Sequence, residues 1–259
     1  MTQTNKYALT FETLAELSTE IRSAHADPAP ALPKLSEVLA EISPLPRGAL
    51  FLGMANDGLP ILLNMLDPRP GPILIAGDRG SGKTKLLQIV AQSISHMPAN
   101  HNVRYVAFTN YADEWNALQN QNCEGILPIA DSESAGYLAG LVEWAHGKQD
   151  NQQMVILLID DFESVLSFNE IRQYLRWLLL RGPAHQIWPF ITLNSGRGEH
   201  LASWLGEFRT RLFGHIEDSQ ISESLAGRNG NLIGDLIAGS QFAMREGESW
   251  LPFWIPRLD

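Results

Sequence analysis

Residues 73 to 90 read ILIAGDRGSGKTKLLQIV, an apolar run that breaks into a glycine cluster and resumes after a lysine and a threonine. No other stretch restricts the fold so tightly. Gly77, Gly82, Lys83 and Thr84 satisfy the pattern GxxxxGK[ST], with Gly80 as a further glycine between them. The glycines let successive backbone N–H groups converge on an anion without Cβ atoms in the way. The helix that follows turns the positive end of its dipole on the same point. The pattern predicts a loop formed by Gly77, Asp78, Arg79, Gly80, Ser81, Gly82, Lys83, Thr84 and Lys85 that wraps the phosphates of a nucleotide. Lys83 would reach the β- and γ-phosphates, and Thr84 would give its hydroxyl to Mg2+. Such a loop needs a strand before it and a helix after it, which points to an α/β fold with a mainly parallel sheet.

The surrounding pattern agrees. From about Ala49 onward short β-rich runs alternate with helical ones, as in βαβ units. ALFLGMANDGLPILLNM reads as a hairpin turning at Asn56-Asp57-Gly58, VRYVAFTN as a strand, DEWNALQN as the start of a helix, and SAGYLAGLVEWAHG and EIRQYLRWLLLRG as amphipathic helices. MVILLIDD is the most apolar strand and is expected at the centre of the sheet. WPFITLNS and RLFGHIED read as further strands, and SQFAMREGESWLPFWIP as an antiparallel pair around Glu246-Gly247. Ahead of this lie two short helical patterns, TFETLAELSTEIR over 10–22 and one marked by Leu35, Val38, Leu39 and Ile42, separated by the proline-rich DPAPALP. The expected division is a helical appendage over 1–47 and a nucleotide-binding domain over 48–259.

A phosphate loop works with a second strand that ends in a carboxylate. VILLIDDFES supplies one: Asp160 is placed to hold Mg2+ through water, and Asp161 stands where many ATPases carry the glutamate that polarises the attacking water. Asp161 is one methylene shorter than that glutamate, and Glu163 is an alternative carboxylate. FITLNSGRGEH offers Thr192, Asn194 and Ser195 at the end of a neighbouring strand, with Asn194 or Ser195 as the sensor of the γ-phosphate. Arg197, Arg209 and Arg211 are candidates for an arginine donated across a subunit boundary.

Composition narrows the partners. A formal net charge of -10 gives the whole molecule no attraction to nucleic acid or anionic membrane, so any polyanion contact has to be local. Cys123 is the single cysteine, which excludes an intramolecular disulfide and suits a reducing compartment. With no secretory-type leader and no long apolar run, a cytoplasmic protein without a membrane span is expected.

Taken in order, these motifs resemble the FtsK/SpoIIIE branch of the HerA–FtsK ATPases, from about Leu50 to Arg257. Gly53, Gly58 and Pro60 match that family's hairpin before the phosphate loop, ILIAGDRGSGKT is similar to its LLIAGxxGSGKS, and VILLIDDFESVL to its VVVDEFADL. RWLLLRGPAHQIWPFITLNSGR resembles ARxGRAAGIHLVLATQRPS, and EFRTRLFGHIED resembles NIPTRIAFRV, which carries the family's arginine onto Arg211. The resemblance implies a RecA-like domain that binds ATP with Mg2+ and hydrolyses it, with Lys83, Asp160, Asp161, Asn194 and Arg211 in catalysis and Thr84 and Asp160 at the metal. It also implies a homo-oligomer, a hexamer in that family, that moves duplex DNA. Lys148, Arg172, Arg176 and Arg181 are the basic candidates for a DNA channel, and residues 1–47 for a protein partner.

The chain departs from the family at Asp161, where the glutamate is missing, and at Ser195, which stands one residue off the family's glutamine. A weakly active ATP-binding scaffold is therefore a competing reading. LLIDDFE also resembles the LLIDDIQ of replication-initiator AAA+ ATPases, but that class places an all-helical lid where this chain has a β-like tail. A small-molecule kinase finds no acceptor or lid signature here.

Overall fold

The computed structural model describes residues 32–97, 102–129, 131–147, 153–198, 201–227, 230–246 and 249–259. The helix expected over 10–22, Lys148 and the turn at Gly247 lie outside them. The elements in order are α1 (Leu35–Ile42), β1 (Ala49–Ala55), β2 (Pro60–Asn64), β3 (Ile73–Gly77), α2 (Lys83–Ile94), β4 (Asn102–Phe108), β5 (Cys123–Leu127), α3 (Ser132–Gly147), β6 (Gln153–Ile159), α4 (Phe162–Leu166), α5 (Asn169–Arg181), β7 (Ile187–Asn194), α6 (Ala202–Leu205), β8 (Thr210–Phe213), α7 (Ser219–Ala226), β9 (Gln241–Glu246) and β10 (Ser249–Trp254).

All ten strands join one sheet in the order β2-β1-β10-β9-β8-β3-β7-β6-β4-β5. From β8 to β5 the neighbours run parallel; the β1–β2 and β9–β10 hairpins extend the sheet antiparallel beyond β8. β6 lies between β7 and β4, and its run from Met154 to Ile159 is buried throughout. The unbroken apolar sequence follows from cover on both faces. Met154, Ile156 and Leu158 enter one core with Leu86, Ile89 and Val90 of α2. Val155, Leu157 and Ile159 enter the other with Leu138 of α3 and Leu175 of α5.

Three features differ from the sequence expectation. α1 is not part of an appendage: Leu35, Val38 and Leu39 are buried in the same core as Phe51, and Leu35 N donates to Arg257 O at 2.8 Å. The compact unit accordingly begins at Lys34. DEWNALQN, expected to begin a helix, gives only a 3-10 helix over Ala112–Leu118, pinned at its middle by the fully buried Trp115. Short helices α4, α6 and α7, which periodicity over so few residues cannot announce, follow β6, β7 and β8. The tail is β, as expected, and its strands pair within the main sheet where an AAA+ lid would be helical. Among the described residues no helix is long and apolar enough to cross a membrane.

Candidate nucleotide site

The parallel register lines up the carboxyl ends of four strands. Gly77 of β3 pairs with Asn194 of β7, Ile159 of β6 with Ile191 of β7, and Phe108 of β4 with Ile159. Beyond this edge lies a cleft of about 500 Å³. The phosphate loop contributes Arg79, Gly80, Lys83 and Thr84 to it, the end of β6 contributes Asp160 and Asp161, β7 contributes Thr192 and Asn194, and the 3-10 segment after β4 contributes Tyr111 and Glu114. Ligands of open α/β sheets bind at this edge.

Glycine is required at two points of the loop. A Cβ on Gly77 would lie 2.4 Å from Ser81 Oγ. Gly82 sits at φ +94°, and a Cβ there would also come within 3.0 Å of Gly239 Cα. Lys83 Nζ donates to Gly77 O at 2.9 Å and Asp78 O at 2.7 Å, which holds the ammonium inside the loop. Burial lowers its pKa, and the nearby charges of Asp160, Asp78 and Asp161 only partly oppose that. Asp78 does not face the cleft. It accepts Ser195 Oγ and, at 2.8 Å, Glu217 N, and so ties the loop to the chain beyond β7 and β8. Lys85 turns away as well, towards Gly239 O at 3.4 Å.

Asp160 forms the floor. Its Oδ2 accepts Thr84 Oγ1 and its Oδ1 accepts Thr192 Oγ1, both at 2.9 Å, while Thr192 Oγ1 accepts Asp161 N at 2.8 Å. Burial raises the pKa of Asp160 against the lowering effect of these two hydroxyls and Lys83. A hydroxyl and a carboxylate held side by side are the hard oxygen donors that suit Mg2+, with phosphate and water to complete its octahedron. The sequence-derived pair Thr84 and Asp160 is therefore brought together, across 76 positions of chain.

Asp161 is used differently from the expectation. Its Oδ1 accepts the backbone N–H groups of Glu163 (3.1 Å) and Ser164 (3.2 Å), and its Oδ2 accepts Ser164 Oγ at 2.6 Å. The residue caps α4 and does so from a positive φ of 106°. Its carboxylate is engaged by these donors, and the residue also lines the cleft. Asp161→Ala is expected to lower stability by about 1 kcal/mol through loss of the cap, whereas Asp161→Asn, which can accept the same N–H groups, stays within a few tenths. Thermal melting of the two variants checks this; equal midpoints would show that the cap is not what holds Asp161.

Of the other expected residues, Asn194 lies exposed at the end of β7 and lines the cleft, while Ser195 is committed to Asp78. Glu163, the alternative carboxylate, pairs with Arg197 at 3.2 Å. Arg211 is outside the cleft of its own chain. It pairs along β8 with Leu74 of β3, and its guanidinium donates to Leu225 O at 3.0 Å and Leu205 O at 2.6 Å, near the ends of α7 and α6. Cations belong at such helix ends. Among the DNA-channel candidates, Arg172 donates to Leu166 O at 2.6 Å and Arg176 pairs with Glu207 at 3.4 Å, so both are engaged within the domain. Tyr111 and Glu114 were not anticipated as site residues. The acidic pair Asp113-Glu114 directly after a strand end was the available signal.

No family profile matches the chain, and no curated protein matches it. Solved structures do. The cytoplasmic domain of the type VII secretion ATPase EccC from Thermomonospora curvata superposes with a TM-score of 0.66 at 13% identity, over 88% of this chain and 28% of that one. EssC (ATPases 2 and 3) from Geobacillus thermodenitrificans gives 0.65 at 15% identity, over 88% and 47%. The genome-packaging NTPase B204 of Sulfolobus turreted icosahedral virus 2, in complex with AMP, gives 0.52 at 10% identity, over 74% and 100%. The chain therefore has the fold of these ATPase structures. The chain spans about a quarter to a half of the EccC and EssC structures. What it shares with all three is the fold.

Proposed function

We propose that the FtsK-like domain binds ATP with Mg2+ at the cleft and hydrolyses it, as the motor of a homo-oligomer acting on a polymer, with duplex DNA the first candidate. The observation that carries this is the meeting of Lys83, Thr84 and Asp160 in one cleft at the carboxyl edge of the sheet, with Thr84 bonded directly to Asp160. When bound, Mg2+ would neutralise charge on the β- and γ-phosphates. The chain's own part is to cradle the phosphates on the loop amides, to hold the metal through Thr84 and Asp160, and to set Asn194 against the γ-phosphate. A type VII secretion ATPase and a genome-packaging NTPase are among the structures with this fold, which supports a polymer as the load. The partner contact expected for residues 1–47 narrows to the residues ahead of Lys34, since α1 is spent in the core.

A second reading, an ATP-binding scaffold with little turnover, is favoured by one observation: both oxygens of Asp161 are occupied in capping α4. Phosphate release with and without duplex DNA, together with native mass with and without ATP, separates the two. A motor is expected to assemble with ATP and to turn over faster with DNA. ATP binding without hydrolysis, unchanged in Asp161→Glu, would instead establish the scaffold.

A further inference from the structure

Three carboxylates line the cleft among the described residues, Asp160, Asp161 and Glu114, and only one has its oxygens free. Asp160 is held by two threonine hydroxyls, and Asp161 by the amino end of α4 and Ser164. Glu163, just outside, is held by Arg197. The Glu114 carboxylate has no hydrogen bond or ion pair with any described residue. Its backbone, by contrast, is fixed. Glu114 N donates to Tyr111 O at 3.1 Å, and Glu114 O accepts Gln88 Nε2 at 2.9 Å. Gln88 is buried on α2, the helix that carries the phosphate loop, and the adjacent Trp115 is fully buried. A rigid main chain with an uncommitted acid at its tip, tied to the element that holds the phosphates, is what a base needs in order to meet a water at a defined place.

We infer that Glu114, from the segment after β4, is the catalytic carboxylate that polarises the attacking water in place of Asp161. This rests on the ATP-hydrolysis reading above. In the step it serves, a water oxygen forms a bond to the γ-phosphorus while the bond from that phosphorus to the β,γ-bridging oxygen breaks. The bridging oxygen's electron pair leaves with ADP. The proton released by the water passes to the Glu114 carboxylate and from there to solvent, giving ADP, inorganic phosphate and one proton. No oxidant or further reactant is involved.

The test is steady-state phosphate release by the full chain, with fluorescent-nucleotide titration and a thermal melt on each variant. Glu114→Gln is expected to lower kcat about a hundredfold with ATP affinity and melting temperature unchanged, since the replaced group bonds to nothing in the fold. Glu114→Asp, one methylene shorter, is expected to fall between. Asp113→Asn, its exposed neighbour in the same turn, retains wild-type turnover. Full turnover in Glu114→Gln, in a protein whose Lys83→Ala variant is dead, overturns the role of Glu114 and leaves the ATPase reading standing. So does a hundredfold loss in Asp161→Asn alone, which returns the role to Asp161. A wild-type chain that binds ATP without any turnover sinks hydrolysis itself, and this inference with it.

Discussion

Replacing Lys83 with alanine is expected to reduce ATP turnover about a thousandfold and to weaken nucleotide binding in parallel. The ammonium is the one cationic side chain held inside the loop, at 2.9 Å from Gly77 O and 2.7 Å from Asp78 O. Burial lowers its pKa, and the nearby carboxylates of Asp160, Asp78 and Asp161 offset that only in part. A triphosphate restores its counter-charge, and the loop amides alone cannot supply the interaction that strengthens as charge shifts onto the leaving oxygens. Fluorescent-nucleotide titration and phosphate release read the two effects separately. Undiminished affinity and rate in Lys83→Ala would remove the cleft from consideration.

Asp160→Asn should separate activity from stability. Turnover is expected to fall about a thousandfold, because the amide cannot replace the carboxylate beside Thr84 as a partner for Mg2+. The nucleotide-free variant, however, should melt higher than wild type at neutral pH, by a margin reduced because the amide oxygen can accept only one of the two threonine hydroxyls. The folded-state pKa of Asp160 is raised by burial, so the ionised form is disfavoured in the folded chain relative to the unfolded one. The stability this group contributes is present below its unfolded pKa and lost as pH rises through the folded value. The advantage of the asparagine variant should therefore be full at pH 7 and shrink as the solution is acidified through the raised pKa. A lower melting temperature for Asp160→Asn at pH 7 would contradict this account.

The parts of the site that could be read from sequence are those that a local rule dictates. Gly77 and Gly82 are demanded by close approach and positive φ, Lys83 and Thr84 by what a phosphate and Mg2+ require, and Asp160 by its place at the end of a strand apolar enough to be buried on both faces. The hairpins β1–β2 and β9–β10 followed from short β-rich runs on either side of turn residues. What escaped depends on groups distant in the chain. Whether Asp161 faces water or caps a helix is decided by five residues of α4 too short to show periodicity. Glu114 reaches the cleft only because Trp115 and Gln88 bolt an irregular turn to α2. Arg211, placed in catalysis by resemblance, is drawn within its own chain to the carbonyls of Leu205 and Leu225, a contact that no spacing announces. α1 was set apart by the prolines around it, yet its apolar face is spent in the core, held there through Arg257 near the end of the chain.

The position of β10 in the sheet has a consequence for how the polypeptide acquires its shape. β1 touches the rest of the sheet through β10, with Met54 against Trp254 and Ala55 against Phe253. β1 therefore finds its neighbour in the sheet only after some 200 further residues have been translated. Loop closure over that separation is slow by nature. A newborn chain of this kind should lean on holdase chaperones until β10 has emerged, and loss of β10 would leave β1 and β2 without their link to β9.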